Sequence, residues 1–186
     1  LFGSWSDYRR TVDVLVETGI VEDASKIWWD LRPSEAWPTL EVRIADVMPR
    51  MEEALSVAAF IQAAMAMLWR LKTHSQRWRL YDRFLIEENR WRAQRYGSAG
   101  TLLDLGRREL RPLRDLLEEL IEQMEAEAAA LSCLPELRGT LDIVTNGTSA
   151  DRQRRVYAAA RDDGASGQDA LRAVMRAVTA EFREGL

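Results

Sequence analysis

The amino-acid sequence predicts an α+β fold that is mostly helical and carries one antiparallel β-hairpin. Three observations predict this class. Apolar residues recur at helical spacing through most of the chain, two neighbouring segments rich in aromatic and branched residues are typical of strands, and no convincing third strand follows. Two strands alone make a marginal sheet, so part of the sheet is expected to lie outside the chain. The 186 residues suit one domain or a large piece of one.

The first 48 residues are predicted to form a helix followed by the hairpin. The segment SWSDYRRTVDVLVETG has the apolar spacing of a helix, and Gly19 is a natural stop. Residues 26–33 (KIWWDLRP) and 39–47 (TLEVRIADV) are the predicted strands. On the second strand, Leu40, Val42 and Ile44 share a face that is expected to pack inward.

Residues 49–186 are predicted to form a helical bundle. The run from Met51 to about Lys72 is apolar on almost every side. Because it is interrupted by Gln62 and takes much of its apolar character from alanine, a buried central helix is the better prediction than a membrane span. Further helices are expected over residues 79–96 and 112–131, from about 135, over 148–163 and from about 166, the last with the apolar stripe Leu171, Val174, Met175 and Val178.

Charge and cysteine content exclude several classes of function. The chain has 26 Lys and Arg against 30 Asp and Glu, well mixed, so it offers no basic face for nucleic acid. The single cysteine, Cys133, excludes a disulfide framework and a cysteine-based zinc site, and the single histidine, His74, is expected in an exposed loop. No signal peptide opens the chain, so a cytoplasmic location is expected. A first residue other than Met suggests a fragment or a processed product.

Alternation along the two strands places four charged residues on one face of the hairpin. Asp30 and Arg32 share a face of the first strand, and Glu41 and Arg43 share a face of the second. One interpretation is a solvated surface with cross-strand ion pairs, each contributing about 0–1 kcal/mol. The other is a platform for metal and phosphate, because a carboxylate supplies hard oxygen to Mg²⁺ and a guanidinium fits phosphate oxygens.

Four sequence blocks, in order, resemble the carboxylate-amine ligase family, also called glutamate–cysteine ligase type 2. They are LFGSWSDY, the hairpin segments VEDASKIWWDLRPS and PTLEVRIADV, the helix EENRWRAQRYG, and NGTSADRQRRVY. Together they resemble the C-terminal half of the family's single ligase domain, which implies membership of a larger antiparallel sheet. Ala45 and Ser98 depart from the family's pattern, and neither is one of the charged positions.

The resemblance implies an ATP-dependent condensation of a carboxylate with an amine through an acyl phosphate, typically of glutamate with cysteine, with ATP and Mg²⁺ as cofactors. By resemblance, Glu41 would be a Mg²⁺ ligand and Arg43 would hold ATP phosphate. Asp30 and Arg32 would orient metal, nucleotide or substrate as further catalytic residues. Candidates for the nucleotide site also include Asn89, Arg92 and Arg152, although salt bridges to neighbours are an equal interpretation for the first two.

Two further expectations concern what surrounds these residues. Thr148 and Asp151 fit a helix capping box better than an anion site. The Gly-x-Glu-x-Glu-type strand of the family's N-terminal half has no counterpart here, and one carboxylate at Glu41 cannot hold catalytic Mg²⁺, so the isolated chain is expected to have little or no activity.

The expected partners are small-molecule substrates (glutamate, and cysteine or another amine) and the missing N-terminal half. The apolar hairpin face also favours association, including a homodimer, whereas nucleic acid and membrane are not expected. Two alternatives remain: a non-catalytic helical interaction module whose hairpin adds to a partner's sheet, and a degenerate family member that keeps the fold without catalysis.

Overall fold

The structure, a computed structural model, describes residues 2–184 and divides the chain into two compact units, Leu1–Val47 and Met48–Leu186. Three residues lie outside the described part: Leu1, Gly185 and Leu186. The predicted domain includes all three, and the block LFGSWSDY begins at Leu1. The described part is mostly helical with two antiparallel strand pairs, which confirms the predicted α+β class.

The first unit contains one helix, two short strands and a 3-10 turn. Its elements are α1 (Trp5–Glu17), the turn Ala24–Lys26, β1 (Leu31–Pro33) and β2 (Leu40–Val42).

The second unit carries six helices and a further strand pair within its described residues. They are α2 (Met51–Thr73), α3 (Arg83–Tyr96), a 3-10 turn at Gly97–Ala99, β3 (Thr101–Asp104), β4 (Glu109–Pro112), α4 (Leu113–Ala130), α5 (Leu134–Asn146), α6 (Ser149–Asp162) and α7 (Gly167–Arg183).

The first unit is organised around aromatic rings on α1 and the start of the hairpin. The Ser4 hydroxyl caps α1 by accepting the Asp7 N–H at 3.1 Å, which satisfies one of the free donors at the helix start. Tyr8 and Trp29 lie with ring centroids 6.0 Å apart in an edge-to-face arrangement. Gly19, at φ +72°, follows the helix as predicted.

The first hairpin is shorter than predicted and shows its apolar face to the outside. Each strand has three residues, in the register Arg32 opposite Glu41. Leu40 and Ile44 are 52% and 62% exposed, so the prediction that the face of Leu40, Val42 and Ile44 packs inward is wrong. The reason is that the unit buries the opposite side of β1, where Arg32 is only 7% exposed.

The core of the second unit forms where α2 packs against α4 and α5. Gly139 on α5 allows a close approach, because a Cβ there would meet the Ser56 hydroxyl of α2 at 2.5 Å. Met124 and Leu137 are the largest fully buried side chains. The buried core comprises Ala59, Ala63, Met67, Ile121, Met124, Ala128 and Leu137.

Helix α2 supplies an alanine-rich face to this core, but the prediction of a helix buried at the centre is confirmed for that face only. Its 23 residues are long and apolar enough to cross a membrane by length and composition, a test that the core helix of a bundle also passes. Of its most apolar window, 22% is buried, and the other side exposes Leu55, Leu68 and Trp69. The helix therefore contributes one buried face and one exposed apolar face.

The pair β3–β4 was not predicted, and the expectation of no further strand is wrong. The segment reads as a glycine-punctuated connection because each strand has only four residues. Asp104 closes the hairpin turn, since its carboxylate accepts the N–H groups of Gly106 and Arg107, both at 2.9 Å. This is a local hydrogen-bond pattern that strand propensity does not reveal.

The last two helices pack against each other. Helix α6 begins with the predicted capping box: the N–H and the hydroxyl of Thr148 both donate to the Asp151 carboxylate, at 2.9 and 2.8 Å. On α7, however, Leu171 and Met175 of the predicted buried stripe are exposed, while Ala170 is fully buried. Val174 and Val178 of the same stripe are half-buried, so the prediction is wrong only for the two bulkier residues, which lie away from the buried alanine.

Candidate active site

Pairing of β1 with β2 brings the four charged hairpin residues together. The Arg32 guanidinium donates from Nε and Nη2 to Glu41 Oε2, at 2.8 and 2.7 Å. Arg43 Nη2 lies 2.7 Å from Glu41 Oε1. The Arg43 N–H donates to the Asp30 carbonyl oxygen at 2.8 Å, which places these two residues opposite each other across the hairpin. Arg32, Glu41 and Arg43 thus form one ion-pair cluster, and the backbone hydrogen bond places Asp30 next to it.

Arg32 is the anchor of the cluster. Its Nη1 donates to the carbonyl oxygens of Ala24 and Ile27, at 2.7 and 3.2 Å, and its side chain is almost fully buried. These bonds tie the guanidinium to the 3-10 turn and the entry to β1. Because most of its donors are used within the unit, Arg32 positions Glu41 rather than facing a ligand.

Glu41 carries a carboxylate that is ionised at neutral pH. The hydrogen bond from Arg32, with a smaller contribution from Arg43, lowers the pKa of Glu41 below its ordinary value. An ionised carboxylate offers about four acceptor positions. Arg32 Nε donates to Oε2, and Nη2 of Arg43 lies 2.7 Å from Oε1, so both carboxylate oxygens already face a guanidinium.

Arg43 is the accessible cation of the cluster. Its side chain is 33% exposed, and its guanidinium carbon lies 5.7 Å from the ring centroid of Trp28, which is itself exposed. The four charged hairpin residues, Asp30, Arg32, Glu41 and Arg43, sum to a formal charge of zero. The remaining N–H groups of Arg43 are suited to phosphate or carboxylate oxygens.

The described residues do not by themselves provide a Mg²⁺ site. Mg²⁺ requires near-octahedral oxygen coordination. Between residues 2 and 184 no group of three or more His, Cys, Asp or Glu side chains is placed to hold a metal ion. Glu41 could supply one oxygen, so its predicted role as a metal ligand stays a prediction that requires ligands from elsewhere.

Asn89 and Arg92, both on α3, lie along the edge of β3. Asn89 Nδ2 donates to the Leu103 carbonyl at 2.9 Å, and Asn89 Oδ1 accepts the Leu103 N–H at 2.7 Å. Arg92 Nε donates to the Thr101 carbonyl at 2.8 Å. The Asn89 amide thus supplies the hydrogen bonds that a neighbouring strand would make, which blocks this sheet edge. Their predicted nucleotide contacts stay a prediction beside this structural role.

Arg152 lies elsewhere in the second unit and uses all five of its N–H donors. Nη1 and Nη2 donate to the two Glu53 oxygens at 2.7 and 3.0 Å, and Nε and Nη2 donate to the two Glu181 oxygens at 2.7 and 3.1 Å. Nη1 also donates to the Gly147 carbonyl at 3.1 Å. These bonds raise the pKa of Arg152 above its ordinary value, and the bonds that it donates to Glu53 contribute most. Phosphate binding would require one of them to open, so the predicted cofactor contact remains a prediction.

Sequence reasoning missed the partners of Arg152. Glu53 and Glu181 are 99 and 29 residues away in the chain, and Arg50 also approaches Glu181, at 3.4 Å. No periodicity connects these positions. Only an excess of charge at the ends of α2 and α7 hinted at an interaction.

A separate cavity of about 570 Å³ opens in the first unit beside α1. Its described lining contains none of the four charged hairpin residues, so it is distinct from the predicted site. The acidic side chains that line it outnumber the single arginine, and the charged members are Arg9, Asp13, Glu17, Glu22, Asp23 and Glu35.

A comparison with known protein families tests the resemblance found in the sequence. Residues 1–177 match the model of glutamate-cysteine ligase family 2. The chain belongs to this family. The predicted resemblance, based on four sequence blocks, is therefore confirmed over nearly the whole chain.

Several relatives share this family and extend beyond the matched region. A Ruegeria pomeroyi protein provisionally named glutamate–cysteine ligase 2 is 54% identical over 185 residues, which cover 100% of this chain and 47% of the relative. Proteins with the same provisional name from a Jannaschia species and from Chloroflexus aurantiacus are 51% and 40% identical over 185 residues, covering all of this chain and 49% and 45% of each relative. The chain thus spans about half the length of these curated relatives, their C-terminal half.

Proposed function

We propose that this chain contributes the phosphate-binding hairpin of an ATP-dependent carboxylate-amine ligase of the glutamate–cysteine type. One observation carries the proposal: Glu41 is held between Arg32 and Arg43 on a single pair of strands, with Arg43 exposed. Family membership makes a ligase the activity to test. Formation of an amide through an acyl phosphate, with glutamate as the carboxylate and cysteine as the first amine to try, is the proposed reaction.

The exposed guanidinium of Arg43 supports a role of the hairpin beside phosphate. Transfer of a phosphoryl group depends mainly on positioning and on neutralising negative charge. In the proposed site, Arg43 contacts the phosphates or the acyl phosphate, and Arg32 keeps Glu41 and through it Arg43 in place. Strands hold such groups more accurately than loops do.

We further propose that residues equivalent to the uncovered half of the relatives complete the site. The relatives are about twice as long as the matched region. The three-residue strands and the exposed apolar face of Leu40 and Ile44 leave the hairpin short of a stable sheet. That half would add strands to the sheet and carboxylates beside Glu41, where Mg²⁺ and ATP are proposed to bind.

Reconstitution tests this proposal. The chain would be assayed alone and after mixing with the separately produced N-terminal half of the Ruegeria pomeroyi relative, with ATP, Mg²⁺, glutamate and cysteine. We expect phosphate release and amide formation only from the mixture, and a loss of at least about a hundredfold for Glu41→Gln.

The matched control is Glu35→Gln, which removes an exposed carboxylate from the loop between the same two strands. It should retain activity. Robust turnover by the chain alone would refute the need for a second half, and equal activity of both variants would refute the role of Glu41.

The non-catalytic interaction module remains the second candidate, because both oxygens of the Glu41 carboxylate already face a guanidinium. A module of this kind would bind the second half equally well with or without Mg-ATP. It would also be indifferent to Glu41→Gln, so isothermal titration in both conditions separates the two functions.

A further inference from the structure

Helix α7 has three different faces. At 100° per residue, Leu171, Met175, Val178 and Phe182 fall on one side of the helix. Ala170, which is fully buried in the helix that packs against α6, lies 100° from Leu171 around the helix axis. The bulky stripe therefore points away from this contact.

The stripe is an unpartnered apolar surface within the described residues. Leu171, Met175 and Phe182 are 58%, 69% and 46% exposed. Such a row of large apolar side chains, at the spacing with which helices meet each other, is typical of a helix-in-groove or helix-pair contact. Helix α7 already has a buried face, so an exposed second apolar face adds nothing to the stability of the fold.

A row of arginines runs directly beside the stripe. Arg172, Arg176 and Arg183 fall on the neighbouring 40° of the helix and are all exposed. Arg172 also pairs with Asp169 at 2.9 Å. An open groove on this flank is lined by Met175, Arg176, Thr179, Ala180, Arg183 and Glu184, so apolar and cationic groups line the same depression.

We infer that this face of α7 is a docking surface for an acidic amphipathic helix of a partner protein. The apolar side of that helix would cover Leu171, Met175 and Phe182. Carboxylates on its flank would pair with Arg176 and Arg183, as charged positions beside an apolar seam do in paired helices.

Charge favours this occupant over a second copy of the chain. Two copies related by a two-fold axis place the same patch on both sides of the contact. Two antiparallel α7 helices would then bring their arginine rows together, and like charges in contact oppose association.

Two matched synthetic peptides of about 18 residues, five helical turns, test the inference. Both carry a leucine stripe at helical spacing. One has glutamates along the flank that would face the arginines, and the other has lysines at the same places. Binding to the full chain would be measured by fluorescence anisotropy, with vesicles of phosphatidylcholine and phosphatidylglycerol as a separate arm and sedimentation velocity for self-association.

We expect the glutamate peptide to bind at least about tenfold more tightly than the lysine peptide. The double variant R176E/R183E should reverse that preference, and L171S/M175S should weaken binding at least about tenfold. Leu80→Ser, at a leucine that is more exposed than Leu171 and lies in the segment before α3, is the control and should bind like the parent.

Equal binding of the two peptides, or binding indifferent to L171S/M175S, would overturn the inference. It would also be overturned if the same substitutions abolished vesicle binding or self-association while peptide binding was absent. No step of this experiment uses ligase activity, so its failure and the failure of the proposed function are distinguishable.

Discussion

Two ion-pair clusters in this chain have opposite charge arrangements. On the hairpin, the Glu41 carboxylate lies between the guanidiniums of Arg32 and Arg43. In the helical unit, the Arg152 guanidinium lies between two carboxylates, on α2 and α7. Asp30 in the hairpin, and Arg50 at 3.4 Å from Glu181 in the helical unit, bring the formal charge of each cluster to zero, so the two differ in arrangement rather than in net charge.

The difference in exposure shows which cluster is available for chemistry. The Arg152 side chain is 12% exposed, and its five donors are all used inside the fold. In contrast, Glu41 is 38% exposed, and Arg43 keeps donors that the hairpin does not use. Similar residue types therefore serve stability in one place and can meet an anion in the other.

Removing the buried cation should have the largest effect on stability. Arg152→Met leaves the Glu53 carboxylate buried without this partner and leaves Glu181 with only Arg50, at 3.4 Å, which destabilises by about 3–5 kcal/mol. Chemical denaturation followed by circular dichroism measures this. The control Arg154→Met removes a mostly exposed arginine of the same helix and should change the free energy of unfolding by less than about 1 kcal/mol. Equal losses of unfolding free energy in the two variants would show that burial does not distinguish Arg152 from Arg154.

Removing the anchor of the hairpin cluster should have a smaller and more local effect. Arg32→Met loses the bonds to two backbone carbonyls and to Glu41, but that carboxylate can be hydrated because it is partly exposed. We expect a local loss of about 1–3 kcal/mol. Hydrogen exchange at the Arg43 amide, which is bonded across the hairpin, reports it as exchange at least about fivefold faster. Unchanged exchange would mean that Arg32 does not hold the strands together.

The capping box of α6, next to the buried cluster, predicts a pH dependence. The Thr148 N–H holds the pKa of Asp151 below its ordinary value, so the carboxylate stabilises the fold above about pH 4 and this contribution is lost as the pH falls through the lowered pKa. Asp151→Asn should cost about 1 kcal/mol near pH 7 and almost nothing in strong acid. Denaturation curves at several pH values test this, and a difference that grows on acidification would contradict the sign.

These clusters also show where sequence reasoning succeeds. Helix α6 and its cap were predictable because Thr148 and Asp151 are three residues apart and act locally. The hairpin face was predictable because alternation places Glu41 and Arg43 on one side whatever the length of the strand. Local periodicity is therefore enough to predict most helices and to predict which charged residues share a face of the hairpin.

Failures of the sequence predictions involve choices that local patterns do not contain. Periodicity marks two faces on α7, but only the contact with α6 decides that Ala170 is buried and Leu171 is exposed. The pairing of Asn89 with Leu103 needs an amide aligned with a strand edge, and this depends on how α3 lies on β3. The partners of Arg152 come from distant helices, so no spacing rule could identify them.

The smallest effect on stability, and the sharpest test of the comparison, is expected at Arg43. Arg43→Gln removes one partly exposed ion pair and should change the free energy of unfolding by less than about 1 kcal/mol. Its effect on anion binding should be large, because the variant loses the accessible guanidinium while Arg32 stays engaged with Glu41 and the backbone. The probe is inorganic pyrophosphate, followed by the indole resonance of Trp28, whose ring lies 5.7 Å from that guanidinium.

We expect the parent chain and Arg154→Gln to show the same saturable shift of the Trp28 resonance, and Arg43→Gln to show about a fivefold weaker response or none. Added salt should weaken the response, because the contact is electrostatic and partly exposed. If Arg43→Gln bound pyrophosphate as well as the parent does, the exposed hairpin cation would not be the anion contact. The two clusters would then differ only in burial, and the case for phosphate at the hairpin would fail with no change in the fold.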